Sequence, residues 1–303
     1  MKYFFSFLVF SFFVPNFAQA QIKNNSVDSI INKDYLEYSS LISKNDSIRK
    51  QLSQLYNNFY SKNQNQSSKI YINKIDSIDF LLKKNQEEQL LLNLKYVKKI
   101  PYNEEILGKI YLQLNRDVGR KYIDEISNIT NDINENNKNS VIGLKIHESI
   151  KGIKNSEVGQ IAPNIIGKSV DDKEVSLFFY RNKKYILLDF WATWCLPCRE
   201  DFSFLKILHE KYNSKGFEII SISKDEKIDL WKKIILKDSI QDWIHYSVKL
   251  NNTDVEKKYA VTAIPVKILI DLDGKIIGRW KGGGDENKSE IEKALNDIFK
   301  LHE

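Results

Sequence analysis

The chain has 303 residues, 42% of them hydrophobic and 28% charged, which is length enough for two domains and ordinary globular composition. The formal net charge of +6 is spread among Glu, Asp and Asn with no basic stripe interleaved with aromatics, which argues against nucleic acid as a partner. Two cysteines in a chain of this size exclude a disulfide-built scaffold.

The first twenty residues read as a leader. Lys2, an apolar run from Tyr3 to Val14, Pro15 and then Ala18-Gln19-Ala20 follow the three-part secretory pattern, with cleavage expected after Ala20. The run is too short for a bilayer core that needs about 20 helical residues. No cysteine follows the leader, so the usual lipid attachment point is missing. The expected location is periplasmic or otherwise extracytoplasmic, soluble or peripherally held.

Residues 21–154 are expected to form a mainly helical region. Leu41, Ile48, Leu52, Leu55 and Phe59 make a one-sided helical stripe, and the polar stretch from Ser61 to Ser68 suggests a turn. A second run passes through Ile75, Ile78, Leu81 and Leu82 and then Leu90 to Val97, and a third covers Glu104 to Leu114; Pro101 is the one proline here. Antiparallel helices are the first reading, and a coiled coil that makes a homodimer with a second copy is the competing one. This half offers no metal cluster, no nucleophile with its base and no phosphate loop.

Residues 155–303 change character, from helices to strands alternating with helices. Tyr185 to Trp191 is a nearly unbroken apolar run, as in a strand buried on both faces. Phe202, Leu205, Leu208 and Tyr212 line one face of a helix. Phe217 to Ser223 is a second strand, Asp229 to Lys237 a helix, and Val266 to Ile270 a third strand. Asp271 to Gly274 is a hairpin turn, Ile276 to Trp280 the returning strand, and about Asn287 to Lys300 a closing helix. Such an order predicts an α/β sandwich.

The cysteines, Cys195 and Cys198, stand where the strand ending at Trp191 gives way to a helix. Unpaired N–H groups at a helix start stabilise a thiolate, the attacking species in disulfide exchange, so Cys195 is the expected nucleophile and Cys198 the resolving thiol. A zinc knuckle would need a second ligand pair, and His147, His209, His245 and His302 all lie away from the motif, so no metal is expected; the histidines read as surface or packing residues. Haem attachment would need histidine where Arg199 stands. A structural disulfide spanning so short a loop stabilises little. Asp189 is an acid inside a buried strand, where burial raises its pKa and suits it to hold a proton; an Asp satisfied by a local polar contact is the alternative. Pro265 opens a strand, where a missing N–H is tolerated. Trp194 and Trp191 flank the cysteines as an apolar collar, with core packing an equal account of Trp191.

At these residues the chain resembles the thioredoxin superfamily, specifically exported thiol-disulfide oxidoreductases of the TlpA/ResA type. The resemblance rests on Val158-Gly159-Gln160-Ile161-Ala162-Pro163, on Asp189 to Glu200, on Ile264-Pro265 and on Asp273-Gly274. It implies a C-terminal thioredoxin-like sandwich behind a mainly helical N-terminal domain, with Cys195, Cys198, Asp189 and a cis Pro265 as the catalytic set. Trp194, Leu196, Pro197 and Ile264 would meet substrate. Ser203 stands where relatives often carry a proline, which predicts a straighter first helix, and Leu196 replaces a small or charged residue. Peroxiredoxins share the fold, but their threonine three positions before the cysteine is Ala192 here.

The implied activity is protein-disulfide reduction with no cofactor beyond the Cys195–Cys198 disulfide, on protein or peptide thiol and disulfide substrates; oxidase or isomerase activity are alternatives within the class. Pro197 and Ile264 both resemble reducing thioredoxins. A reductase in an oxidising compartment implies a membrane electron donor of the DsbD/CcdA type, with cytochrome c maturation as one destination. An adaptor that binds client thiols through the helical region is the reading from another class.

Overall fold

The computed structural model describes residues 26–62, 69–100, 103–114 and 116–300. The leader at 1–20, the polar stretch beyond Lys62, Pro101 and His302 lie outside the described residues. The chain is α/β, with helices leading and a sheet following, as the pattern predicts.

Two long helices, α1 (Ser26–Lys62) and α2 (Lys69–Val97), lie antiparallel. Their direction follows from the cross-contacts: Tyr38 Oη donates to Asn93, Lys95 reaches Glu37, and Asn45 and Asn85 each donate a side-chain amide to the other's backbone carbonyl at 3.1 Å. The buried face of α1 is therefore Tyr38, Ile42 and Asn45, whereas Ile48 and Leu55 of the expected stripe are 40% and 49% exposed. A stripe drawn through apolar residues misses Asn45, which is buried because its amide is paired. Shorter helices follow: α3 (Glu104–Leu114), α4 (Asp117–Lys121), α5 (Ile123–Asp132), α6 (Glu135–Lys138) and α7 (Val141–Asn155). Leu90, Leu94, Ile106, Ile110, Ile126, Ile146 and Ile153 bring them into one apolar core.

A small hairpin, β1 (Ile166–Lys168) and β2 (Glu174–Ser176), opens the second half. The main strands are β3 (Tyr185–Trp191), β4 (Phe217–Ser223), β5 (Ile244–Ser247), β6 (Val266–Ile270) and β7 (Ile276–Lys281), in the spatial order β5-β4-β3-β6-β7. Strands β3, β4 and β5 run parallel, β6 runs antiparallel to β3, and β7, antiparallel to β6, returns to the direction of the first three. The helices here are α8 (Leu196–Glu200), α9 (Phe202–Tyr212), α10 (Ile228–Lys237), α11 (Val248–Asn251), α12 (Val255–Lys258) and α13 (Asp285–Lys300).

Side-chain alternation assigns the two sheet faces. Leu187, Ile219 and Leu269 pack against α9, α10 and α13 through Leu205, Leu208, Trp231, Ile235, Ile291 and Leu295. Leu188, Phe190, Ile220, Ile222 and Ile268 pack on the other face beneath Leu177, Val255 and Tyr259. Asp189, Ser221 and Lys267 share the first face by the same alternation, and they are each at most 3% exposed. The helical region meets the sheet domain where α7 lies on α12. Gly152 is required there, since a Cβ would fall 2.3 Å from the Lys257 carbonyl oxygen, and Ser156 Oγ donates to the Tyr259 carbonyl at 3.1 Å. Among the described residues no helix is long and apolar enough to cross a membrane.

Candidate active site

Strand β3 delivers the chain to the cysteines. After Trp191 the backbone turns through Ala192, Thr193 and Trp194, and Cys195 becomes the N-cap of α8. Cys198 N–H donates to Cys195 Sγ at 3.3 Å, a group that the first turn of a helix leaves without an intrahelical acceptor. Pro197 sits in that first turn, where its missing N–H costs nothing. Cys195 and Cys198 form a disulfide with Cα atoms 5.3 Å apart, and they are 5% and 1% exposed. Of the two, Cys195 is the less enclosed.

The turn before Cys195 is clamped by a residue that sequence reasoning missed. Buried Asp225 accepts Thr193 N–H on both carboxylate oxygens, at 3.1 and 3.0 Å, Thr193 Oγ1–H at 2.7 Å and Ser223 Oγ–H at 2.9 Å. A second unpredicted clamp holds α8 itself: Arg199 pairs in bidentate fashion with Asp238 at 2.7 and 2.8 Å.

Around the disulfide the exposed side chains are apolar. Trp194 is 69% exposed, Leu196 42%, Pro197 is exposed and Ile264 half-buried. Trp191 is not part of this rim: it is fully buried, edge-on to Phe202 at 5.0 Å, so its core reading holds. The Ile264–Pro265 peptide is cis. Val266 pairs with Phe190, which sets Pro265 level with Trp191, at the sheet end from which the cysteine loop leaves. The Pro265 carbonyl accepts Gly282 N–H at 2.9 Å, and the following Gly283 runs beside Pro197.

Below the cysteine helix lies a buried charge cluster. Ser221 Oγ–H donates to Asp189 Oδ2 at 3.1 Å, and Trp243 Nε1–H donates to Ser221 Oγ at 2.9 Å. Lys267 Nζ stands 3.6 Å from Asp189 Oδ1 but 2.6 Å from Asp201 Oδ2, and Lys288 reaches Asp201 Oδ1 at 3.2 Å. Asp189 Oδ1 accepts no hydrogen bond among the described residues. Burial pushes the Asp189 carboxyl above its usual range, against the pull of Lys267 and the Ser221 hydroxyl. A carboxylate with a raised pKa is a stronger base than an exposed one.

Asp201 also explains a departure from the expected straight helix. The helix breaks at Asp201 even though Ser203 replaces the usual proline, because Asp201 turns its carboxylate inward to Lys267 and its N–H closes a tight turn on the Cys198 carbonyl at 3.3 Å. Lys267 carried a readable signal, an ionisable residue inside an apolar strand, the same signal that marks Asp189. Asp201 carried none. Of the histidines, His147 is exposed, His209 bonds Glu218 at 3.0 Å, and His245 is buried, held neutral at a pKa of about 4 by burial.

A family model described as Thioredoxin-like matches residues 182–276. The thiol-disulfide oxidoreductase ResA of Bacillus thuringiensis subsp. konkukian (strain 97-27) is 32% identical over 144 residues, which are 47% of this chain and 79% of that protein. ResA of Bacillus subtilis (strain 168) is 27% identical over 163 residues, 53% of this chain and 84% of the relative. Among solved structures, the thioredoxin domain of a thiol-disulfide oxidoreductase from Bacteroides vulgatus is 33% identical with a TM-score of 0.42, covering 46% of this chain and 99% of that one.

Proposed function

The chain belongs to the ResA-type, thioredoxin-like thiol-disulfide oxidoreductases, and from that premise we propose that it works as an exported disulfide reductase. The observation that carries the direction is the sparse stabilisation of Cys195 Sγ: one N–H, that of Cys198, donates to it among the described residues, while the buried carboxyl of Asp189 lies under the same helix. A thiolate that is little stabilised gives up its electrons readily, which supports a pair on the reducing side of the scale.

In this reading the Cys195 thiolate attacks a client disulfide. An S–S bond forms between Cys195 and the client, and the client's other sulfur leaves as thiolate. Cys198 passes its proton to Asp189 and attacks Cys195 Sγ, which re-forms the Cys195–Cys198 disulfide and expels the second client thiolate. The client gains two electrons and the protein loses two, so turnover requires a thiol donor; a membrane carrier of the DsbD/CcdA type fits an exported protein. Trp194, Leu196, Pro197 and Ile264 supply the apolar rim against which a client polypeptide lies, with the backbone before Pro265 beside it. Cytochrome c maturation is one destination consistent with this chemistry. The division into a leader (1–20), a helical region (21–154) and a redox domain (155–303) belongs to the same proposal.

The test is the potential of the cysteine pair, set with dithiothreitol or glutathione buffers and read by thiol alkylation. A value near or below about −250 mV supports the reductase, and one near about −120 mV overturns it in favour of an oxidant of exported clients.

A further inference from the structure

On the sheet face opposite Asp189, β7 and the helical region enclose two arginines that have each other as near neighbours. Arg279 pairs with Ile268 across the strands, so it shares that residue's face. Its Nη2 donates to the Tyr259 and Ala260 carbonyls at 2.9 and 3.4 Å, but its Nη1 is shut off from solvent and has no hydrogen-bond partner. Arg120 of α4 and Arg279 line the same cavity of about 170 Å³, and Arg120 makes no ion pair within 4.0 Å among the described residues. The closeness of the two shows in their charges: burial first, and then Arg120, bring Arg279 down to a pKa of about 9. Glu157 and Asp117 attract these guanidiniums only from beyond ion-pair distance, and Asp117 is drawn instead to Lys281 at 3.5 Å.

The placement of Arg120 is fixed by close packing. A Cβ on Gly119 would fall 2.3 Å from the Gln113 carbonyl oxygen, so only glycine lets α4 sit this tightly on the end of α3. The cavity wall includes Thr262 and Ala263, the residues that lead into the cis Ile264–Pro265 peptide. Guanidinium groups present planar N–H forks that match the paired oxygens of an oxyanion, and desolvated like charges are stabilised most by a shared anion. The volume suits one such head group with a few waters.

We propose that Arg120 and Arg279 form an oxyanion site which takes a carboxylate at the seam between the helical region and the redox domain, beside the loop entering Pro265. The carboxylate comes either from a client polypeptide or from a small free anion. The site stands independently of the direction of electron flow, because its occupancy is read on the oxidised protein without turnover.

The experiment is calorimetric titration of the full oxidised chain at constant ionic strength, using inorganic phosphate as probe, then a glutamate-bearing peptide and its glutamine counterpart. Saturable phosphate binding is expected, weakened by about tenfold or more in Arg120→Gln, because one fork of the pair is lost. Arg120→Gln is also expected to melt no lower than the parent without phosphate, since removing it relieves like-charge repulsion; Arg120→Lys, which keeps charge but not the fork, should bind with intermediate strength. Displacement of phosphate by the glutamate peptide alone identifies a client carboxylate as the source, and phosphate binding that neither peptide disturbs identifies a free anion. Absence of saturable binding, or equal affinity in the parent and in Arg120→Gln, overturns the site.

Discussion

Replacing Lys267 by methionine tests the buried cluster most directly. In the parent, Lys267 Nζ lies 2.6 Å from Asp201 and 3.6 Å from Asp189, all three side chains being almost wholly buried. Removing one partner of a buried ionic group strands the others, at a typical cost of about 3–5 kcal/mol. Here the cost depends on pH. The folded-state pKa of Asp189 is already raised by burial, so native protein holds a proton there to higher pH than unfolded chain does, and stability falls as pH rises through that pKa. Loss of Lys267 lifts the Asp189 pKa further, whereas Asp201 keeps Lys288 at 3.2 Å. The variant should therefore lose about 3–5 kcal/mol at pH 8 and clearly less at pH 5, because lower pH favours the proton on Asp189 that takes the place of the lost cation. Adding Asp189→Asn should recover part of the loss at pH 8. Urea unfolding followed by tryptophan fluorescence is the assay, and it reports the redox domain alone because all five tryptophans fall between Trp191 and Trp280. A loss that is equal at the two pH values, or under about 1 kcal/mol at pH 8, would refute the reasoning, since a surface pair behaves in that way.

His245 predicts acid sensitivity of a different origin. Its Nε2–H donates to the Ile240 carbonyl at 2.6 Å and its buried Nδ1 is unpaired; burial depresses its pKa from 6.5 to about 4, so the stabilisation is full above pH 6.5 and is lost as pH falls toward 4, by about 2 kcal/mol at pH 5. His245→Gln should flatten that part of the stability profile between pH 7 and 5. Asp225→Ala removes the acceptor of Thr193 and Ser223 and should cost about 3 kcal/mol, slowing reaction of reduced Cys195 with an aromatic disulfide, whereas Thr193→Val, which loses only the 2.7 Å hydroxyl bond, should cost about half as much. Gly152→Val places a side chain against the Lys257 carbonyl and should part α7 from α12, read as new proteolytic cleavage near residues 152–163 with the cysteine potential unchanged.

What could be read in the sequence followed the strength of the local signal. Strand β3 is a nearly unbroken apolar run of seven residues, β4 is a seven-residue strand built on Phe217, Ile219, Ile220 and Ile222, and helix α9 shows its buried stripe at Phe202, Leu205, Leu208 and Tyr212, so their places were predictable. Strand β5 is four residues containing His245, and β1 and β2 have three residues each; their pairing comes from neighbouring strands rather than from their own pattern. Helices α4 and α6, of 5 and 4 residues, escaped because they are equally short. At the site, Cys195, Cys198, Asp189 and Pro265 stand in local motifs, whereas Asp201, Ser221, Asp225, Trp243 and Arg279 matter chiefly through residues 19 or more positions away. Polar residues that are buried by pairing carry no periodic mark.

The arrangement of the cluster also explains why a lysine so close to Asp189 does not cancel the effect of burial. If Lys267 bonded Asp189 directly, its charge would hold the carboxyl well below the usual range and leave a poor base. Instead Asp201 engages Lys267 at 2.6 Å and is itself shared with Lys288, so the pairing that neutralises Lys267 lies on the side of the cysteine helix. Asp189 keeps one oxygen on Ser221 and the other free of hydrogen bonds, and burial outweighs the attraction from 3.6 Å. The break in the helix after Cys198 is part of the same construction, because the turn at Asp201 is what brings its carboxylate to Lys267.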